Sequence, residues 1–136
     1  MGTTVGKVMG PTRLTNIPED PKERKTYPIS SGFLEYFPDA VAEVAHISWA
    51  GNEQHHPGEE LHWDRSKSTD EADALMRHFM ARGTRDTDGK RHSAKAAWRM
   101  MAILQKEIEA ERSGGAATQW YDVNELDAVD RWFHKR

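Results

Sequence analysis

The sequence predicts an all-α helical bundle. Three observations carry that reading. Ala94, Ala97, Met101, Leu104 and Ile108 recur on a three-four spacing, the stripe that lets a helix pack in a bundle. Start and stop residues for helices recur along the chain, with Pro38 and Ser68 or Thr69 as starts and Gly51 as a stop. No internal repeat and no strand-type alternation stands out, so the layers must be helix on helix.

Each element has its own local reason. Residues 1–31 hold Pro11, Pro18, Pro21 and Pro28 among Lys, Arg, Thr and Gly, and read as an irregular N-terminal arm. Residues 32–136 then read as a single all-α domain. Its first helix begins at Pro38, where a missing N–H costs nothing, and ends at Gly51. Ala40, Val41, Val44, Ala45 and Ile47 give it an apolar surface, and Asp39 and Glu43 project together at i and i+4. The loop "EQHHPGEELHWDR" brings His55, His56, His62 and Trp63, a composition suited to holding ligands. A second helix, capped by Ser68 or Thr69, runs to about Arg82. "GTRDTDGKR" is a turn, and a long helix occupies about 90–112. After "SGGAAT", a short helix capped by Asn124 or Asp122 docks through Leu126, Val129, Trp132 and Phe133.

Composition narrows the function. A chain of 136 residues suits one compact domain with a small core. It is 37% hydrophobic and 30% charged, so part of its apolar surface is expected to close in an oligomer. A net charge of −3 without a long basic run argues against a nucleic-acid partner. No apolar run reaches membrane-spanning length, so no membrane partner is expected. The absence of cysteine excludes disulfides, thiol catalysis and cysteine-bound zinc, and fits a reducing cytoplasm.

The most telling stretch is "STDEADALMRH", residues 68–78. Acids in a first helical turn are favoured by the macrodipole, typically by ~0.3–1 kcal/mol each, which accounts for Asp70 and Glu71. Asp73 lies further in and shares a side with Asp70. Burying that pair near Asp39 and Glu43 requires cations between them, and an all-oxygen set favours Mg²⁺ or Mn²⁺. A solvated acidic face accounts for the spacing equally well. Arg77, Lys67, Arg91 and Lys95 supply cations for phosphate, with surface pairing as the plainer role. "DTDGKRH" begins like a calcium loop, but Arg91 and His92 stand where further acids are required. It reads either as a capped turn or as a loop feeding acids and His92 into a cleft. His55, His56 and His62 lack a standard zinc spacing.

Paired acids on one helix, then E-x-x-D on a second, resemble the all-α NTP pyrophosphohydrolases of the MazG/HisE group. Asp39 and Glu43 match the first pair at a spacing of four rather than three. In "DEADAL", Asp70 takes the place of the usual Glu and Asp73 matches the Asp. From Tyr27 to Glu109 the chain is more similar to phage dATP/dGTP diphosphohydrolases of the MazZ type. That likeness rests on "YFPDAVAEVAHISWAGNEQHHPGEELHW", "KSTDEADALMRH" and "DTDGKRHSAKAAW".

The resemblance implies a four- to five-helix bundle, a homodimer or homotetramer, and hydrolysis of (d)GTP to (d)GMP and pyrophosphate. It places the protein in the cytoplasm of a bacterial host, serving 2-aminoadenine metabolism of a phage. Asp39, Glu43, Asp70 and Asp73 would hold two or three Mg²⁺ or Mn²⁺ ions, with Glu43 accepting a proton and Glu35 in reserve. Lys67, Arg77, Arg91 and Lys95 would hold phosphate, and His78 and His92 would orient ligands or donate to phosphate. Asn52, His62 and Trp63 would bind the base. The alternatives are a house-cleaning NTP pyrophosphatase of broad specificity and a non-enzymatic helical interaction protein.

Overall fold

The structure, a computed structural model, describes residues 15–67 and 69–114. Residues 1–14 of the arm, the Ser68 cap and the docked helix at residues 124–134 lie outside them. The described residues form five helical segments and no strand, so the chain is all-α. None of those helices is long and apolar enough to cross a membrane.

The chain divides into two compact units, Met1–Pro38 and Asp39–Arg136. In the first, α1 (Pro21–Arg24) is one turn, followed by a π-helical turn at Ser30–Leu34. This segment of the arm is therefore partly regular. The Asp20 carboxylate accepts from the N–H groups of Lys22 and Glu23, both at 3.0 Å, and Pro21 follows as the first helical residue. That Asp-Pro pair is a readable helix start.

The second unit holds α2 (Pro38–His55, starting at its boundary), α3 (Glu71–Met80) and α4 (His92–Arg112). Pro38 opens α2 as expected, but Gly51 does not close it. The helix continues one further turn, and buried Asn52 within that turn fixes the following loop. Gly is only a weak helix breaker when its neighbours gain hydrogen bonds, as here. Asp70, and not Thr69, holds the capping position of α3, and its side chain makes no capping bond. α3 ends at Met80, two residues short of Arg82.

α3 packs along α4. The buried apolar residues are Ala74 on α3 and Ala94, Ala96 and Ala102 on α4. The stripe read from sequence on α4 is therefore displaced. Ala97 is exposed, and Met101 and Leu104 are 52% and 46% exposed. Ala94 of that stripe is buried as expected, and Ala96 and Ala102, one position from Ala97 and Met101, are buried with it.

Polar ties reinforce this thin core. Lys106 Nζ donates to both oxygens of the buried Glu71 at 2.9 and 3.0 Å. Trp98 Nε1 donates to Ser48 Oγ at 2.7 Å and joins α4 to α2. Arg65 clasps Glu109 at 2.7 and 2.8 Å, and its guanidinium lies 4.1 Å from the Trp63 ring centroid.

Candidate active-site cleft

A cleft of about 1100 Å³ opens within the second unit, between the end of α2, the loop that follows it and the α3–α4 turn. The turn is built by its own backbone. Arg85 and Arg91 pair as an isolated bridge, and Asp86 N–H donates to Lys90 O at 2.8 Å. Gly89 takes φ +80, a left-handed conformation that side chains resist. His92 N–H donates to Thr84 O at 3.1 Å, which sets the first residue of α4 against the turn that follows α3.

This closure brings His78, Asp86 and His92 together, with one ligand atom of each within 4.8 Å of the others. His78 Nδ1 lies 2.9 Å from His92 Nδ1, so one ring donates a proton to the other. Burial, reinforced by the nearby His92 and Lys95, lowers the His78 pKa below its ordinary value. Its imidazole is thus held neutral at neutral pH, as a ligand or acceptor must be. One helical turn along α4, Lys95 Nζ donates to Asp86 Oδ2 at 2.7 Å and to Asp88 Oδ2 at 2.9 Å. Burial alone would lower the Lys95 pKa, but the two carboxylates outweigh it and raise it. An ammonium bridging two carboxylates beside two imidazoles shows that this place accepts positive charge.

The Lys95 hydrogen bond, helped by the Thr87 N–H, lowers the Asp86 pKa to about 2. The folded value lies below the ordinary carboxylate value of about 4, so this pairing stabilises the fold above that pH. The contribution is lost as pH falls through about 2. NMR titration of the Asp86 carboxyl should show that low midpoint, and Lys95→Met should return it toward the ordinary range. A midpoint unmoved by the substitution contradicts the pairing.

The expected site residues are divided by the fold. Asn52, His62, Trp63, Lys67, Asp70, His78 and Lys95 line the cleft. Glu43 and Arg91 pair at 3.1 Å and line a smaller cavity of about 310 Å³ with Arg85 and Lys90. Lys90 lines both cavities. Asp70 accepts from Arg77 at 3.1 Å, and that guanidinium lowers its pKa. Asp39 and Asp73 are exposed and line neither cavity. Among the described residues, Asp39, Glu43, Asp70 and Asp73 do not gather into a three-ligand group. Asn52 donates to Glu59 O at 3.0 Å and accepts from His62 N–H at 3.4 Å, so its amide shapes the loop. Asp86 and Asp88 line the cleft, as the reading of their turn as a loop feeding acids into a cleft expected, although neither was given an individual role. The signal for them was "DTDGKRH", whose acids and histidine converge only once the turn closes.

A helical scaffold that gathers carboxylates, imidazoles and lysines in one cleft has the makings of a phosphohydrolase. The chain belongs to the dATP/dGTP diphosphohydrolase, N-terminal, family, whose model matches residues 19–114. No curated protein and no solved structure matches it. The family makes the chain a diphosphohydrolase with a nucleotide substrate.

Proposed function

We propose that the protein hydrolyses (d)GTP to (d)GMP and pyrophosphate with Mg²⁺ or Mn²⁺. The observation that carries this is the convergence of His78, Asp86 and His92, of which His78 and Asp86 line a nucleotide-sized cleft together with Lys95. These three donors fit a divalent ion. Their two imidazoles weight the set toward Mn²⁺, because Mg²⁺ prefers oxygen. Asp39, Glu43, Asp70 and Asp73 remain proposed as carboxylates for further ions, with Asp70 already at the cleft wall. A bound ion supplies a water of lowered pKa and neutralises phosphate charge.

The chain's own residues do the rest. Lys95 exchanges its carboxylate partners for phosphate oxygens, and Lys67 and Lys90 extend the positive lining. Arg77 and Arg91 are further phosphate donors, and Glu43 is the proposed proton acceptor. The water oxygen bonds to the α-phosphorus, and the bond from that phosphorus to the bridging oxygen breaks as pyrophosphate leaves. His62 and Trp63, with Asn52 holding the loop, face the base. A site that hydrogen-bonds the base edge rejects other purines strongly.

Self-association as a homodimer or homotetramer is part of the proposal. Trp49, Met76, Phe79, Met80, Met100, Met101 and Leu104 are exposed, while among the described residues the buried apolar ones are alanines. Burial at ~25 cal/mol per Å² favours covering such a surface with a second copy. Phage 2-aminoadenine metabolism in a bacterial cytoplasm is the proposed setting, where the reaction supplies (d)GMP.

The test is incubation with each standard nucleotide under Mn²⁺, Mg²⁺ or EDTA. Turnover of dGTP and GTP, faster with Mn²⁺ and abolished by EDTA, is expected. Equal turnover of pyrimidine nucleotides would replace guanine selection with house-cleaning, and no turnover with any metal would refute the enzyme reading.

A further inference from the structure

We infer that His56, Glu59 and His62 form a second, separate site for a transition-metal ion of the Zn²⁺ type. Their ligand atoms all lie within 4.8 Å of one another. His56 Nδ1 and Glu59 Oε2 are 3.2 Å apart, and the two imidazole centroids are 4.4 Å apart. A tetrahedral ion with bonds of about 2.1 Å spaces its donors about 3.4 Å apart. The His56–Glu59 pair already has that spacing, and small side-chain rotations bring in His62.

The tautomer of His62 is set for the task. Its Nδ1 lies 2.9 Å from Glu60 O, and a carbonyl can only accept, so Nδ1 carries the hydrogen. Nε2 is then the lone-pair nitrogen. A ligating histidine usually has this arrangement, its second nitrogen donating to a carbonyl. The loop is also pinned before any ion arrives. Asn52, 6% exposed, holds Glu59 through its carbonyl and His62 through its N–H. Gly58, at φ +81, makes the reversal that brings Glu59 back beside His56.

Two imidazoles and one carboxylate suit Zn²⁺ and disfavour Mg²⁺ and Ca²⁺. His56 and His62 line the large cleft, so an ion there fastens the loop that carries Trp63 to the end of α2. This inference rests on the loop alone; it moves His62 from the base to the ion, leaves the base to Trp63, and does not depend on nucleotide turnover.

The probe is Co²⁺, followed by visible absorption and equilibrium dialysis on the full chain, with excess Mg²⁺ present and Zn²⁺ as competitor. One tightly held equivalent should be lost in His62→Ala and in the nearly isosteric Glu59→Gln, and retained in Asp86→Asn. Asn52→Ala should weaken it roughly ten- to a hundredfold, as removal of a supporting group does. The inference is overturned if no equivalent binds, if both loop variants retain it, or if Asp86→Asn removes it. Circular dichroism checks that each variant is folded, and Glu59→Gln decides alone if His62→Ala is not.

Discussion

Asp86→Asn is expected to reduce metal-dependent turnover by ~100-fold or more, the scale of removing one preorganised charge from a reacting centre. The substitution keeps the shape of the side chain and its place in the turn. Lys95 retains Asp88 at 2.9 Å, so the fold should persist. What disappears is the charge that joins His78 and His92 in one donor set. His92→Ala should have a comparable effect through loss of a nitrogen donor. Asp73→Ala is the informative contrast: Asp73 is exposed and lines neither cavity, so as a carboxylate for a further ion it should cost less than Asp86. Parallel measurements of kcat and KM across the three variants check the assignment. If Asp73→Ala is inactive and Asp86→Asn fully active, the ions sit on the helix acids.

Glu71→Ala should destabilise the protein by about 2–3 kcal/mol, below the range for a fully buried ion pair because Lys106 is partly exposed. The Glu71 side chain is 9% exposed and that of Lys106 27%. Removing the carboxylate takes away the buried acceptor of Lys106 and leaves a void where α3 meets α4. Denaturant unfolding should show a lower midpoint with an unchanged slope. Lys106→Met, which removes the other charge but keeps the packing stem, should also destabilise, because it strands the more deeply buried carboxylate. A Glu71→Ala protein as stable as the parent would show that this pair holds nothing together.

These two predictions also mark what the sequence disclosed. The all-α class, the start of α2 at Pro38 and the extent of α4 follow from local patterns, which is why they were legible. The inner face of α4 was not. Ala94 was read as inward and is buried, but the buried face runs on through Ala102 and not through Met101 and Leu104, and only the approach of α3 chooses between them. The acids of "STDEADALMRH" show the same limit. They share one turn of sequence but go three ways: Asp70 to Arg77, Glu71 to Lys106, and Asp73 to solvent. Glu71 finds its partner 35 residues away, which no local pattern encodes. His78 could be picked out because it follows the acids. Its convergence with Asp86 and His92 depends on a turn whose glycine and backbone bonds act only in three dimensions.

The proposed attack at the α-phosphorus is tested most directly by hydrolysing dGTP with Mn²⁺ in ¹⁸O-labelled water and weighing the products. The account predicts the label in dGMP and none in pyrophosphate. Label in the pyrophosphate would place the attack on the β-phosphorus and contradict it.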